Sequence, residues 1–194
     1  DNRMRKVVFD IETRNLFEDV GKNDPALLDI SVLALYDSET DTYSSYTQEE
    51  FPKMWPIFEK ADVLIGFNSD HFDIPLLDKY YPGSLRSIKS IDMMVSIKTA
   101  LGRRLSLKNV AGSTLKVSKS ADGLQAYHWW KEGRVQEIRD YCIQDVRVTK
   151  ELYEFILQNK KIKYKDGPET KELAIDTTGW EDKGDHSLTY SLGF

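Results

Sequence analysis

The residues between 135 and 158 constrain the fold more than any other segment. Val135, Ile138, Cys142, Val146 and Tyr153 recur there at intervals near three to four, which puts them on one face of a long helix. The first half of the chain supplies short apolar runs at 5–11 (RKVVFDI), 28–36, 63–67 and 88–91, each readable as a strand. Residues 42–47 suit a hairpin partner for 28–36, because the intervening DSETD is turn chemistry. Phe51, Met54, Trp55 and Phe58 stand at helical spacing within 49–60, and a second helix over 72–80 is stopped by Pro82 and Gly83. Between 13 and 24 the chain is polar and reads as a loop. Three more helices are expected at 93–101, 107–115 and 122–131, punctuated by Gly102, Gly112 and Gly123. Strands dominate the first half, helices the second, and at least one helix lies between strands. That order predicts an α/β fold with a mixed central β-sheet flanked by α-helices.

At 194 residues the chain fits one domain, expected over 1–160, with a polar C-terminal extension at 161–194 that serves as a linker or a partner-binding tail. No apolar run approaches the roughly 18 residues of a membrane span, and no signal-peptide pattern opens the chain. The single cysteine, Cys142, excludes an internal disulfide framework and suits a reducing cytosol, so a cytoplasmic protein is expected. Net charge is −5, but its distribution says more than its sum. From 37 to 62, seven acids face Lys53 and Lys60. From 80 to 119, Arg86, Lys89, Lys98, Arg103, Arg104, Lys108, Lys116 and Lys119 face only Asp92, a basic stretch able to grip a phosphate backbone.

Three acidic motifs follow in order. Asp10 and Glu12 end the first strand, and residues i and i+2 of a strand project to one face. Chance alone gives about five acid-x-acid pairs in a chain of this composition, so two solvated acids at a strand end are the better explanation of this pair taken alone. The run 63–67 leads into Asn68, Asp70 and Asp73; here a turn residue, an N-cap and a first-turn acid are sufficient structural roles. On the long helix, Tyr141 and Asp145 are i and i+4 neighbours beside the apolar stripe, and a structural pair would explain them too. Taken together, the four carboxylates have another reading. Converging like charges are tolerated where they bind hard cations, and oxygen ligands select Mg²⁺ or Mn²⁺ for in-line displacement at phosphorus.

These motifs resemble those of the tyrosine subgroup of the DEDD 3′–5′ exonucleases, which have a ribonuclease-H-like fold, and most closely the proofreading domains of family B DNA polymerases and their stand-alone relatives. Asp10-Ile11-Glu12 followed by Thr13 matches the first motif, Asn68 through Phe72-Asp73 the second, and Tyr141 with Asp145 the third. Asp140 occupies the position where the histidine subgroup carries its base. The resemblance covers about residues 5–158. It implies a nuclease that uses two Mg²⁺ or Mn²⁺ ions to release nucleoside 5′-monophosphates from single-stranded or frayed 3′ ends, DNA favoured, in repair or proofreading. It further implies that Asp10 bridges the metals, that Glu12 and Asp145 complete one site, that Asp73 holds the second through water, and that Tyr141 orients the attacking water. Thr13, Asn68, Phe72, Arg103, Arg104 and Lys108 are expected to bind substrate. Tyr127, His128, Trp129 and Trp130 are candidates for base stacking. The alternatives are a non-catalytic nucleic-acid- or protein-binding module of the same fold, or an accessory domain of a helicase or polymerase. A polymerase or helicase is the expected protein partner, held through the C-terminal segment.

Overall fold

The computed structural model describes residues 3–118 and 121–183. Lys119 of the basic stretch and the closing segment 184–194 lie outside the described residues. Strand β1 (Lys6–Thr13) is followed by a one-turn helix α1 (Phe17–Val20) in the expected loop, then by β2 (Ile30–Asp37) and β3 (Thr42–Tyr46). Helix α2 (Phe51–Glu59) leads into β4 (Val63–Gly66), and α3 (Ile74–Asp78) precedes β5 (Ser90–Asp92). The five strands form one sheet in the order β3-β2-β1-β4-β5. β1–β2 and β2–β3 are antiparallel, β1–β4 and β4–β5 parallel, so the sheet is mixed as the alternation of strands and helices implied.

Alternation along β1 decides what lies on each side of the sheet. Val7, Phe9 and Ile11 join a core with Phe51, Met54 and Phe58 of α2 and Leu76 and Leu77 of α3. Val8 faces the opposite layer, made by α4 (Met93–Leu101), α5 (Leu107–Leu115), α6 (Gly123–Lys131) and α7 (Val135–Asn159). The stripe of α7 closes this core through Ile138, Cys142, Val146, Leu152 and Ile156, all fully buried. Burying each aliphatic side chain of this size contributes about 1.5–3 kcal/mol, so the long helix is held by the sheet far more than by its own propensity. β2, covered on both faces, is buried at every residue.

Two segments differ from expectation. The helix expected over 72–80 begins with a π-turn at Ser69–Asp73, and regular α-helix runs only over Ile74–Asp78. Pro75 has no N–H to continue the ladder, and Asn68 enters the turn in the left-handed region at φ 62°. The segment after Lys160, expected as a polar extension, forms a hairpin of β6 (Lys161–Asp166) and β7 (Glu169–Ala174) docked on the helical layer. Lys160 turns the chain out of α7 at φ 57°, and Gly167 takes φ 62° as the first residue of a two-residue loop, where the primed hairpin turns favour glycine. Ile162 and Tyr164 are buried, while Lys161, Lys163 and Lys165, which alternate with them, are more exposed. Beyond the hairpin, Trp180 stacks on Tyr153 of α7 with ring centroids 5.5 Å apart.

Candidate active site

The alternation that sends Phe9 and Ile11 towards α2 and α3 sends Asp10 and Glu12 towards α7. Pairing of β1 with β4 stops at Val8 and Ile65, so β1 outruns its parallel neighbour. Past that point the N–H of Ile11 donates to the carboxylate of Asp73, which the π-turn carries in from the β4 side. On α7, Tyr141, Cys142 and Asp145 share the face laid over this end of β1, and all three are buried. The Cys142 thiol donates to the carbonyl of Asp10 at 3.4 Å, with Sγ 4.0 Å from Asp10 Oδ2. Ligand atoms of Asp10, Glu12 and Cys142 lie within 4.8 Å of one another, and the Tyr141 hydroxyl donates to Asp145.

The electrostatics record the same convergence. Burial pushes the Asp73 carboxyl well above its usual range, with Asp10 and then Asp92 adding to the effect against the opposing N–H bonds from Asp73 and Ile11. The Tyr141 hydroxyl is raised by burial first, then by Asp145, Glu12 and Asp10. Cys142 is raised by burial and by the same three acids, which keeps it a neutral thiol. Asp73 is 4% exposed, and its Oδ1 has no hydrogen-bond partner. An orphaned buried carboxylate oxygen close to other acids fits a hard divalent cation, which takes oxygen ligands and favours their ionised form. A neutral thiol is a poor ligand for such an ion, so of these side chains the carboxylates of Asp10, Glu12, Asp73 and Asp145 are the ones that could hold it.

Asp92 is the residue that sequence reasoning passed over. It ends β5 and caps α4, accepting from the N–H of Met94 at 3.0 Å. It also accepts from the N–H groups of Asn68 (2.7 Å) and Asp70 (3.0 Å), and so ties the π-turn to the neighbouring strand. An Asp between a strand run and a helical run is an N-cap signal, but its second task, across 24 residues, has no local signature. Gly66 is needed for the same turn, since a Cβ there would stand 2.5 Å from the side chain of Ser69.

The residues expected to bind substrate divide into groups. Asn68 accepts a hydrogen bond from Arg104 at 2.7 Å at the mouth of the turn. The Thr13 hydroxyl donates to the carbonyl of Asn15 at 2.9 Å, just past a register shift between Glu12 and Thr13. Phe72 packs edge-on against Phe17. Arg103 turns to the hairpin, 3.7 Å from Asp166 and over the ring of Tyr164, and Lys108 lies on α5 facing the hairpin. Most of the aromatic residues considered for stacking are engaged internally. Trp129 meets Tyr141 edge-on at 6.2 Å, Arg14 lies over Trp130 at 4.3 Å, and Tyr127 is buried beneath Lys131.

Residues 7–157 match the RNase_H_2 family model, and with it the RNase H superfamily. The chain belongs to the RNase H superfamily. In this superfamily member the matched region ends inside α7, so the β6–β7 hairpin and the Trp180 contact lie beyond it. The fold is similar to that of the family B DNA polymerase from the hyperthermophilic archaeon Pyrobaculum calidifontis, with a TM-score of 0.58 at 20% identity. The likeness covers 79% of this chain and 24% of the polymerase. No curated protein matches the chain in sequence. Among the described residues no helix is long and apolar enough to cross a membrane.

Proposed function

We propose that the chain is a divalent-metal-dependent 3′–5′ exonuclease of the tyrosine type, hydrolysing the 3′-terminal phosphodiester of nucleic acid, DNA in preference, and releasing nucleoside 5′-monophosphates. The observation that carries this reading is the meeting of Asp10, Glu12, Asp145 and Tyr141 with Asp73, whose buried Oδ1 lacks a partner. Asp10, Glu12 and Asp145 would hold one Mg²⁺ or Mn²⁺, and Asp10 with Asp73 a second. Bound there, such ions neutralise the crowded carboxylates and stabilise the attacking and leaving oxygens of an in-line displacement. Tyr141, with its pKa raised, stays a neutral hydroxyl and acts through a hydrogen bond that orients the attacking water; it is not the base. Its bond to Asp145 fixes the direction in which the hydroxyl points. Asp92 holds the turn that presents Asp73, and Asn68 and Arg104 stand at its mouth to meet the terminal nucleotide.

Incubation with 5′-labelled single-stranded DNA and RNA, with Mg²⁺ and with EDTA, tests the reading. Stepwise shortening from the 3′ end in Mg²⁺ and none in EDTA is the expected result. Full activity in EDTA, or internal cleavage without a ladder, would overturn it.

A further inference from the structure

We propose that the groove between α5 and the β6–β7 hairpin is a second contact for the nucleic-acid strand, gripping phosphates some nucleotides away from the reacting 3′ end. This rests on the nucleic-acid reading of the site above and extends it to a surface of which one side, the hairpin, lies outside the matched family region. The groove has a volume of about 460 Å³ and is lined by Lys108, Gly112 and Lys116 on one side and by Lys165 and Thr170 on the other. Lys108, Gly112 and Lys116 are spaced i, i+4, i+8, one stripe along α5 and its C-cap, with no side chain at the glycine to block the space between the lysines. Lys165 and Thr170 are cross-strand partners, and so stand on the same face of the hairpin. Among the described residues, every charged side chain lining the groove is a lysine.

Two further observations make this a built surface. First, the hairpin is fixed to α5 as if the helix were another strand. The side chain of Asn109 donates to the carbonyl of Lys165 at 3.0 Å and accepts from its N–H at 2.7 Å. The Thr114 hydroxyl does the same with Lys163, at 2.9 Å in both directions. The two sides of the groove are therefore held at a set separation, and binding spends little on ordering them. Second, the hairpin's acids are engaged elsewhere: Asp166 with Lys171 at 2.7 Å and with Arg103 at 3.7 Å, Glu172 with Lys161 at 3.2 Å. Among the described residues, no ion pair involves Lys108, Lys116 or Lys165. In a chain of net charge −5, such a local cationic surface is what draws a polyanion in. The groove also lies near the site along the chain: Ser106 on its wall is two residues past Arg104, and Arg104 is bonded to Asn68. Lysines contact phosphate as point charges, so the strand is held without regard to its sequence.

The test is fluorescence anisotropy with 5′-labelled single-stranded DNA in EDTA, comparing the parent with Lys116→Gln/Lys165→Gln and with Lys165→Glu alone, which leaves the end of α5 untouched. For a strand of about twelve nucleotides, affinity should fall about tenfold in the double variant, and the slope of log K against log salt should shrink by about 1.4. Strands of about four nucleotides, too short to reach the groove, should show a much smaller loss. Melting temperatures taken alongside establish that the variants are folded. Unchanged affinity and slope, or equal losses for short and long strands, would overturn the proposal. A parent that binds the long strand but does not cleave it in Mg²⁺ would sink the exonuclease reading and leave the groove standing. A parent that cleaves, with variants that bind as it does, would do the opposite, and a parent that does not bind would sink both.

Discussion

β1 carries charge at both ends and handles it in opposite ways. At its entry, Arg5 donates two hydrogen bonds to Asp37, at 2.7 and 3.1 Å, and meets Glu39 at 2.5 Å, while Lys6 reaches Glu181 at 2.7 Å. Each cation there has an acid supplied by the chain itself, one of them from the segment after the hairpin. At its exit, the largest charge effects on Asp73 and Tyr141 among the described residues come from Asp10, Glu12, Asp92 and Asp145, which share one sign. The entry pairs its cations with acids; the exit brings acids together around Asp73 and is where the proposed divalent cation would bind.

The largest effect that would break this comparison is expected from Asp10→Ala. Cleavage should drop by at least ~10³-fold, more than removal of a single hydrogen-bonding group usually costs. The metal-free melting temperature should hold or rise, because one of the repelling charges is gone. Single-turnover rates and melts in EDTA decide it. Parent-like cleavage would show that Asp10 is not in the machinery, and a large destabilisation would show that the exit is not electrostatically crowded.

Tyr141→Phe sharpens the same point at the level of one hydroxyl. The ring is kept, so packing against Trp129 should survive and stability change little. The rate should fall by ~10²-fold if the hydroxyl orients the attacking water. A loss of about 1–2 kcal/mol of stability with an unchanged rate per folded molecule would mean that the bond to Asp145 is only structural. At the other end, Asp37→Ala should do the reverse of Asp10→Ala. It strands a largely buried Arg5 guanidinium, costs about 1–3 kcal/mol in a denaturant melt, and leaves the rate per folded molecule as it was. A slower but fully stable Asp37→Ala protein would erase the distinction between the two ends.

How much of this could be read from the sequence depended on the kind of signal. The period of α7 and the parity of β1 are local, so the long helix, the mixed sheet and the shared face of Asp10 and Glu12 were legible. Asp73 was legible only through its motif, because the feature that matters, a β1 strand outrunning β4 so that Ile11 can meet it, depends on sheet register. Asp92 was invisible for a similar reason: its partners Asn68 and Asp70 are more than 20 residues away. The hairpin was missed although its pattern is present. Lys161-Ile162-Lys163-Tyr164-Lys165 alternates with period two, and Asp166-Gly167 is turn chemistry. Only two apolar residues on β6 face inward, and its edge is satisfied by Asn109 and Thr114, side chains that read as ordinary helix surface until the fold is known.

The smallest effect, and the most direct contrast of the two ends, is the pH dependence of metal-free stability. Asp73 titrates in the unfolded chain near ~3.9, and in the folded protein higher, because burial and Asp10 oppose its charge. Between those values the folded state binds more protons than the unfolded state. The contribution of Asp73 is thus fully present below its unfolded pKa and lost as pH rises through the folded one. Glu181, at the entry, has the opposite sign. Burial pushes it up, but the bonds from Lys6 and Tyr153 outweigh this and hold it below its ordinary range. Its contribution is present above the unfolded value near ~4.3 and lost as pH falls through the folded one. In EDTA, then, the melting temperature of the parent relative to Asp73→Asn should decline as pH is raised above ~4. Relative to Glu181→Gln it should decline as pH is lowered below that point. Saturating Mg²⁺ should reverse the first trend and spare the second, since the ion binds only the ionised carboxylates. A parent-minus-Asp73→Asn difference that grows with pH in EDTA would mean that the exit of β1 is already neutralised by the protein's own groups, and that the two ends of the strand are alike.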